Sequence, residues 1–291
     1  MLFFSRIIEW LMRGLSATPE QMNLKKKRVF DLGDGVKLEM VLIPAGTFMM
    51  GSPNSGKDPK HFETYHQVTI SKPFYLGKYT VTQAQWLKVT EKNPSLFQGG
   101  QLPVEGISWD DAMGFCVRLK EKFGESFRLP TEAEWEYACR AGTTTPYHFG
   151  DKLNGTQANC DGGFPYGTTK KGPYLEKTSP VGSYRSNAWG LFDMHGNVWE
   201  WCEDWYDSYP FDPVTDPRGP EKGSFRVSRG GCWSSIGWFC RSALRSWNPP
   251  DRRSNCLGFR LALDPSPVKP IDAGAGIVLP EPSCLLPSST N

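Results

Sequence analysis

The segment "GGCWSSIGWFCRSALRSWNPPDRRSNCLGFR", from Gly230 to Arg260, reads as two interleaved sequences. One is ordered and runs Gly-Gly, Cys-Arg-Ser-Ala, Pro-Asp and Leu-Gly-Phe-Arg. The other consists of unrelated residue types placed between these groups. Fixed glycines and buried anchors can carry altered side chains where those side chains point to solvent. The pattern therefore predicts a specified backbone with unspecified surface positions.

The composition indicates one large domain or two small ones, rich in turns. The chain has 291 residues, of which 38% are hydrophobic, with 30 Gly and 24 Pro. This is enough apolar material for a sizeable core, and so much Gly and Pro argues against an all-helical protein. The net charge of +2 gives no strong field for nucleic acid or anionic lipid. We therefore expect no nucleic-acid partner.

Both ends of the chain differ from its centre. The apolar N-terminus is interrupted by Arg6, Glu9 and Arg13, which excludes a signal peptide or a membrane span. Residues 1–28 are predicted to be an amphipathic helix with a basic linker, and residues 265–291 a Pro/Ser-rich tail. By default the protein would be cytoplasmic, or displayed by an unrecognised route.

Eight cysteines occur, none in a Cys-x-x-Cys pair. This excludes a zinc ribbon and predicts reduced thiols. Cys116 and Cys139 lie in helical patterns and are expected to be small buried hydrophobic residues.

Three helices have clear start signals at Thr82, Ser108 and Thr131, because each is followed three residues later by a side chain that can complete a capping box. The helix after Ser108 would bury four apolar residues: Ala112, Phe115, Cys116 and Leu119. Strands are predicted in 38–51, 66–82, 225–230 and 257–263, with little regular structure from 140 to 220.

Several stretches resemble the formylglycine-generating enzyme (sulfatase-modifying factor) superfamily. They are "MVLIPAGTFMMGS" (40–52), "YTVTQAQW" (79–86), "PVEGISWDDAMGFC" (103–116), "FRLPTEAEWEYACRAG" (127–142), "GLFDMHGNVWEWCEDWY" (190–206) and the segment from 226 to 263. The resemblance implies an α+β, C-type-lectin-like domain over 29–264. Such a domain has a small antiparallel sheet, flanking helices and long irregular loops.

The family's enzymes oxidise a substrate cysteine to formylglycine with copper and O₂, using two cysteines after the Gly-Gly pair. The matching positions here are Ser235 and Cys240. A hydroxyl cannot replace a thiolate on soft Cu(I), so the resemblance implies that this activity is lost. Cys232 is a further thiol in the segment, and an oxidase that uses Cys240 and Cys232 remains the alternative.

The resemblance also implies structural Ca²⁺, a hard ion that takes oxygen ligands. One site would use the side chains of Asp193 and Glu200 with the main-chain oxygens of Gly196 and Val198. A second would use Asn159 and the carbonyl of Cys160. Its later ligands fall on Pro173 and Leu175, which offer only main-chain oxygen.

A non-catalytic branch of the superfamily comprises the variable proteins of diversity-generating retroelements, in which mutation of template adenines changes Asn codons of the form AAC. Laid on such a repeat without a gap, this chain keeps the following residues, called the frame: Gly230, Gly231, Trp233, Cys240–Ala243, Arg245, Asn248, Pro250, Asp251, Arg253, Asn255 and Leu257–Arg260. Twelve others, called the variable positions, would bind ligand: Ser234, Ser235, Ile236, Trp238, Phe239, Leu244, Ser246, Trp247, Pro249, Arg252, Ser254 and Cys256. Gly237 departs from the repeat pattern.

The hypothesis is a non-enzymatic protein that presents residues 232–256 as a diversified surface to an unknown protein or surface ligand. Ile236, Trp238, Phe239, Leu244 and Trp247 would form an apolar patch with Arg252 at its edge, as at many interaction sites. A family member of unknown activity is a third interpretation. The tail after Arg260 is unusual for the retroelement branch.

Overall fold

A computed structural model describes residues 24–53 and 63–265. These residues contain twelve strands, three α-helices and a 3-10 helix, Gly237–Cys240. The strands are β1 (Lys27–Gly33), β2 (Val36–Ile43), β3 (Gly46–Met50), β4 (His66–Ile70), β5 (Phe74–Gly77), β6 (Phe127–Arg128), β7 (Trp199–Trp205), β8 (Val214–Thr215), β9 (Arg226–Arg229), β10 (Arg245–Asn248), β11 (Leu257–Phe259) and β12 (Ala262–Leu263). The helices are α1 (Gln83–Leu87), α2 (Trp109–Phe123) and α3 (Glu132–Arg140).

The strands form three small sheets. The first has the order β1-β2-β5-β12-β6 and is antiparallel throughout. The second has the order β10-β9-β7-β11, with β11 parallel to β7, and the third has the order β3-β4-β8. The expected α+β class with much irregular loop is confirmed, although the single sheet of the prediction is divided into three.

All three predicted capping boxes are present. Thr82, Ser108 and Thr131 each accept a hydrogen bond from the third helical amide, and the side chain of that residue bonds back to the cap. Helix α2 buries the four apolar residues expected of it. Phe115 of that helix stacks on Trp86 and meets Phe259 edge to face, with ring centroids 5.3 and 5.5 Å apart. These ring contacts hold the helix against α1 and against β11 of the second sheet.

Helix α3 is buried along its whole length, including its acidic residues. Both oxygens of Glu132 accept hydrogen bonds of 2.7 Å from Arg245, and Glu136 pairs with Arg229 and Arg140. A buried carboxylate is tolerated only when it is paired and hydrogen-bonded. These pairs therefore tie α3 to β9, just before the Gly230–Arg260 segment, and to β10 within it.

Residues 141–198 contain no strand or α-helix, as the sequence indicates. Buried asparagine side chains hold this loop. Asn187 donates to Ala138 O at 2.7 Å and accepts from the amides of Trp189 and Leu191. Side-chain amides of this kind satisfy backbone groups that a regular ladder would otherwise pair.

The predicted N-terminal helix and the C-terminal tail lie outside the described residues. Lys27 and Arg28, assigned from the sequence to a basic linker, belong to strand β1. Arg28 Nη1 donates to a carboxylate oxygen of Glu125 at 3.2 Å, which connects this strand to the end of α2.

Candidate functional site

A cleft of about 520 Å³ is formed by the turn after β9, the 3-10 helix, β10 and the loop before β11. Ten of the twelve variable positions line it: Ser234, Ser235, Ile236, Phe239, Leu244, Ser246, Trp247, Arg252, Ser254 and Cys256. The other two, Trp238 and Pro249, are exposed and lie outside its lining. Positions scattered over a long segment thus converge on one concave surface.

Burial separates the frame from the variable positions. The frame run Cys240–Ala243 is buried, as are Arg245 and Leu257–Arg260, whereas most variable positions are exposed or half-buried. The exceptions among the variable positions are Ser235 and Leu244, each 8% exposed. Within the frame, Asp251 and Arg253 are exposed, and four residues are half-buried: Trp233, Asn248, Pro250 and Asn255. For most positions the alternation in the sequence therefore corresponds to inside and outside in the fold.

The two frame glycines are required by the backbone. Gly230 and Gly231 have φ values of 98° and 78°, which L side chains rarely adopt. A Cβ on Gly231 would lie 2.6 Å from the sulfur of Cys240. The turn that begins the cleft therefore excludes any side chain at Gly231.

Ion pairs hold the frame arginines. Arg241 makes a two-pronged pair with Glu63 at 2.8 and 3.0 Å, and Arg245 makes one with Glu132. Arg253 pairs with Asp111 at the start of α2. Bidentate arginine–carboxylate pairs fix both position and orientation. The backbone on which the variable side chains stand is anchored at three separate points.

Three aromatic variable residues are exposed: Trp238, Phe239 and Trp247, at 47%, 45% and 40%. The guanidinium carbon of Arg241 lies 3.8 Å from the ring centroid of Trp238, and the ring centroids of Trp247 and Tyr206 are 4.5 Å apart. Leu244, expected in the exposed apolar patch, is instead 8% exposed and forms part of the cleft wall. The two tryptophans present rings already held by neighbouring side chains.

Ser235 and Cys240, which match the family's two copper-binding positions, lie in different environments. The Ser235 hydroxyl accepts the amide of Cys232 at 3.0 Å and so closes the turn. Cys240 lies in a buried cluster with Cys160 and Tyr147, and contact with Cys160 and burial raise the pKa of its thiol. The arrangement does not offer Ser235 and Cys240 as a pair of copper ligands.

Two thiols do face the cleft. Cys232 and Cys256 each lie 3.3 Å from the Ser234 hydroxyl. Hydrogen bonding from Cys256, assisted by Ser234 and Ser235, lowers the pKa of Cys232 to about 6 against the opposing effect of burial. The pKa of Cys256 is raised by the same neighbour. Of the two thiols, Cys232 is therefore the one whose ionised form is favoured.

The residues predicted to hold calcium are buried. Glu200 accepts Arg260 on both oxygens at 2.7 Å and Trp135 Nε1 at 2.6 Å. Asp193 accepts the amide of Gly182 at 2.7 Å, while its other oxygen has no hydrogen-bond partner among the described residues. Because the guanidinium already neutralises Glu200, this residue does not fit as a calcium ligand here.

The second predicted calcium site has one available side-chain oxygen. Asn159 Oδ1 is buried and has no hydrogen-bond partner within the described ranges. Its amide nitrogen donates to Lys177 O at 2.9 Å and to Asn197 Oδ1 at 3.1 Å. Pro173 O accepts the amide of Gly162, and Leu175 is 42% exposed. Calcium at Asn159 and Cys160 stays a prediction.

Residues 24–53 and 63–265 contain no group of three or more His, Cys, Asp or Glu side chains placed to hold a metal ion. Within the same part of the chain, no helix has the length and apolar character needed to cross a membrane.

Sequence reasoning missed Trp199 in the cleft wall. The residue belongs to β7 and faces the cleft because β11 pairs with β7 in parallel, which sets Trp199 opposite Leu257. No local signal marks this pairing, since the two strands are far apart in the chain.

Residues 34–265 match the model of a family described as the sulfatase-modifying factor enzyme 1-like domain. A formylglycine-generating enzyme from Streptomyces coelicolor is 45% identical over 172 residues, which are 56% of this chain and 52% of that protein. The chain thus spans about half the length of that relative.

Two solved structures share the lectin-like fold type. Treponema denticola variable protein 1 superposes with a TM-score of 0.72 at 28% identity, over 83% of this chain and 100% of that one. PvdO from Pseudomonas aeruginosa gives a TM-score of 0.69 at 32% identity, over 83% and 99%. These similarities confirm the fold expected from the sequence.

Proposed function

Because the chain belongs to the sulfatase-modifying factor enzyme 1-like domain family, we propose that it is a non-catalytic member that binds a protein ligand in the cleft. The residues that line the cleft are diversified, while the frame is kept. Binding occurs by surface complementarity, and no bond is made or broken.

The observation that carries this proposal is the convergence of ten variable positions on one cleft. If these positions were ordinary core, they would be buried with the frame. Instead the frame is paired and packed inside, and its ion pairs do not involve the variable side chains. These ion pairs therefore remain when side chains at the cleft change, although Ser235 also supports the backbone by accepting the amide of Cys232.

The chemistry of the cleft suits a protein surface. Phe239 and Trp247 contribute rigid aromatic area, the serines contribute small hydroxyls, and Arg252 contributes a positive charge at the exposed edge. Aromatic, serine and arginine side chains are the types that dominate adaptable protein-binding sites. The ligand class that fits is a protein surface with an apolar patch and nearby acidic groups.

Similarity to Treponema denticola variable protein 1 supports this proposal, because it extends over the whole of that chain. The likeness to the Streptomyces coelicolor enzyme supports the oxidase alternative. The presence of Ser235 at a copper position, and its use in closing a turn, favours the binder.

The alternative is tested by oxygen uptake with Cu(I) and a peptide that contains cysteine. The binder consumes no oxygen above the rate of the same mixture without protein. Uptake that persists in Cys116→Ser and disappears in Cys240→Ser would establish an oxidase. Cys116 is the matched control because it is buried like Cys240 but lies in a different cluster.

A further inference from the structure

Two cysteines face each other across the end of the cleft. Of the seven cysteines that the structure describes, only Cys232 and Cys256 line it. They come from opposite ends of the variable segment, and the Ser234 hydroxyl lies 3.3 Å from both sulfurs. Ser234 is exposed, so its side chain can rotate away and leave the two sulfurs facing each other.

The backbone of the start of β7 holds both cysteines in place. The amide of Trp233, next to Cys232, donates to Asn197 O at 2.9 Å. The amide of Trp199 donates to Cys256 O at 2.8 Å. The indole of Trp233 also donates to Asn255 O at 3.1 Å. Main-chain bonds and the indole of the frame residue Trp233 therefore hold the two backbones together. The hydroxyls of Ser235 and Ser254 add to this by accepting the amides of Cys232 and Cys256 at 3.0 and 3.3 Å.

The other described thiols are enclosed. Cys116, Cys139 and Cys202 are buried, and burial raises the pKa of each. Cys232 has a lowered pKa instead, and it opens on a cleft large enough to admit a small molecule. Cys232 is itself only 3% exposed, so a disulfide would reach it only through the cleft that it lines. A thiol whose ionised form is favoured, with a second thiol beside it, is the arrangement that thiol–disulfide exchange requires.

We propose that Cys232 and Cys256 form a reactive dithiol that exchanges with small disulfides and closes to a disulfide across the cleft. This inference rests on the proposed function in that it assigns a redox state to the same binding site. Closure replaces two separate cysteine side chains in the cleft wall with one disulfide, so the ligand-binding surface differs between the reduced and oxidised protein.

The exchange balances in two steps. The Cys232 thiolate attacks one sulfur of a disulfide R–S–S–R, which breaks the S–S bond and releases one R–S⁻ that takes up a proton. Cys256, after losing its proton, attacks the Cys232 sulfur of the mixed disulfide and releases the second R–S⁻, which is protonated. The protein loses two hydrogens and the small disulfide becomes two thiols.

The test uses the full chain with Cys284→Ser in every sample, because Cys284 lies outside the described residues. Protein is incubated with oxidised glutathione near neutral pH and followed by intact mass and peptide mapping. The protein that keeps both cysteines should lose the mass of two hydrogens and should yield a peptide in which Cys232 is linked to Cys256. Cys256→Ser should accumulate one glutathione on Cys232, and Cys232→Ser should stay unmodified over the same time.

Cys160→Ser is the matched control and should behave as the parent protein. A parent protein that stays fully reduced, or that takes up glutathione on another cysteine, would overturn the proposal. The parent result decides the matter even if a serine variant unfolds. The readout needs no ligand, so an unreactive pair leaves the binding function standing, and a failed binding function leaves the dithiol standing.

Discussion

Arginine side chains hold the ordered half of residues 230–260. Arg245 is almost fully buried on Glu132, and Arg241 is buried on Glu63. Arg252 lies a few residues further along and is exposed in the cleft. The sequence predicts which arginines belong to the frame and which to the variable positions. It does not predict the acidic partners, because these are distant in the chain.

Replacing Arg245 with Ala should lower the free energy of unfolding by about 3 kcal/mol, because it leaves a buried carboxylate without its main partner. Replacing Arg252 with Ala should change it by less than about 0.5 kcal/mol, as for other exposed positions. Urea unfolding measures both. Equal losses in the two variants would contradict the division between frame and variable positions.

Asp204 makes the stability of the folded protein depend on pH. Burial, and then the charges of Glu132, Glu203 and Glu134, raise its pKa well above the usual value. The folded protein therefore holds a proton that the unfolded chain releases, and this contribution to stability is lost as pH rises through the folded pKa.

Asp204→Asn removes that loss and keeps an oxygen to accept the amide of Glu132. The free energy of unfolding of the variant, minus that of the parent, should therefore rise as the pH is raised from about 4 to about 8. Unfolding at both pH values measures the difference. A difference independent of pH would show that Asp204 titrates normally.

The helices follow from local sequence more directly than the strands do. Their three capping boxes are written within four residues each, and the buried face of α2 follows from its periodicity. The pairing of β7 with β11 was not predicted, since it joins distant segments. The burial of α3 was not predicted either, because its glutamates are typical of a solvent-facing helix until their arginine partners are known.

Thr131→Ala should cost about 1 kcal/mol of unfolding free energy, because it removes the hydroxyl that accepts the Glu134 amide. Thr131→Ser keeps the hydroxyl and should cost less. Thermal unfolding of the two variants compares them directly. A serine variant as unstable as the alanine variant would assign the loss to the methyl group.

The molecule as a whole combines a fixed frame with a replaceable surface. Ion pairs join the frame and the neighbouring Arg229 to α3, and they join the frame to Glu63. The cleft side chains project from this frame. Most inward and outward positions could be predicted from the alternation in the sequence. The cleft itself could not, because it forms only where β7, β10 and β11, which are distant in the chain, meet in the second sheet.

A protein carrying Ile236→Ser, Phe239→Ser and Trp247→Ser together should keep its fold and melt within about 5 °C of the parent, since half-exposed and exposed side chains contribute little to the core. Gly231→Ala should be strongly destabilised, because the new Cβ meets Cys240. Calorimetry tests both. Collapse of the triple variant would mean that these residues are core.

Sequencing the DNA downstream of the coding region tests whether the cleft is diversified. We expect a near-copy of the segment that encodes residues 226–263, differing only where the copy has adenine, together with a reverse transcriptase gene. Flanking DNA that contains neither of them would show that the cleft is not diversified.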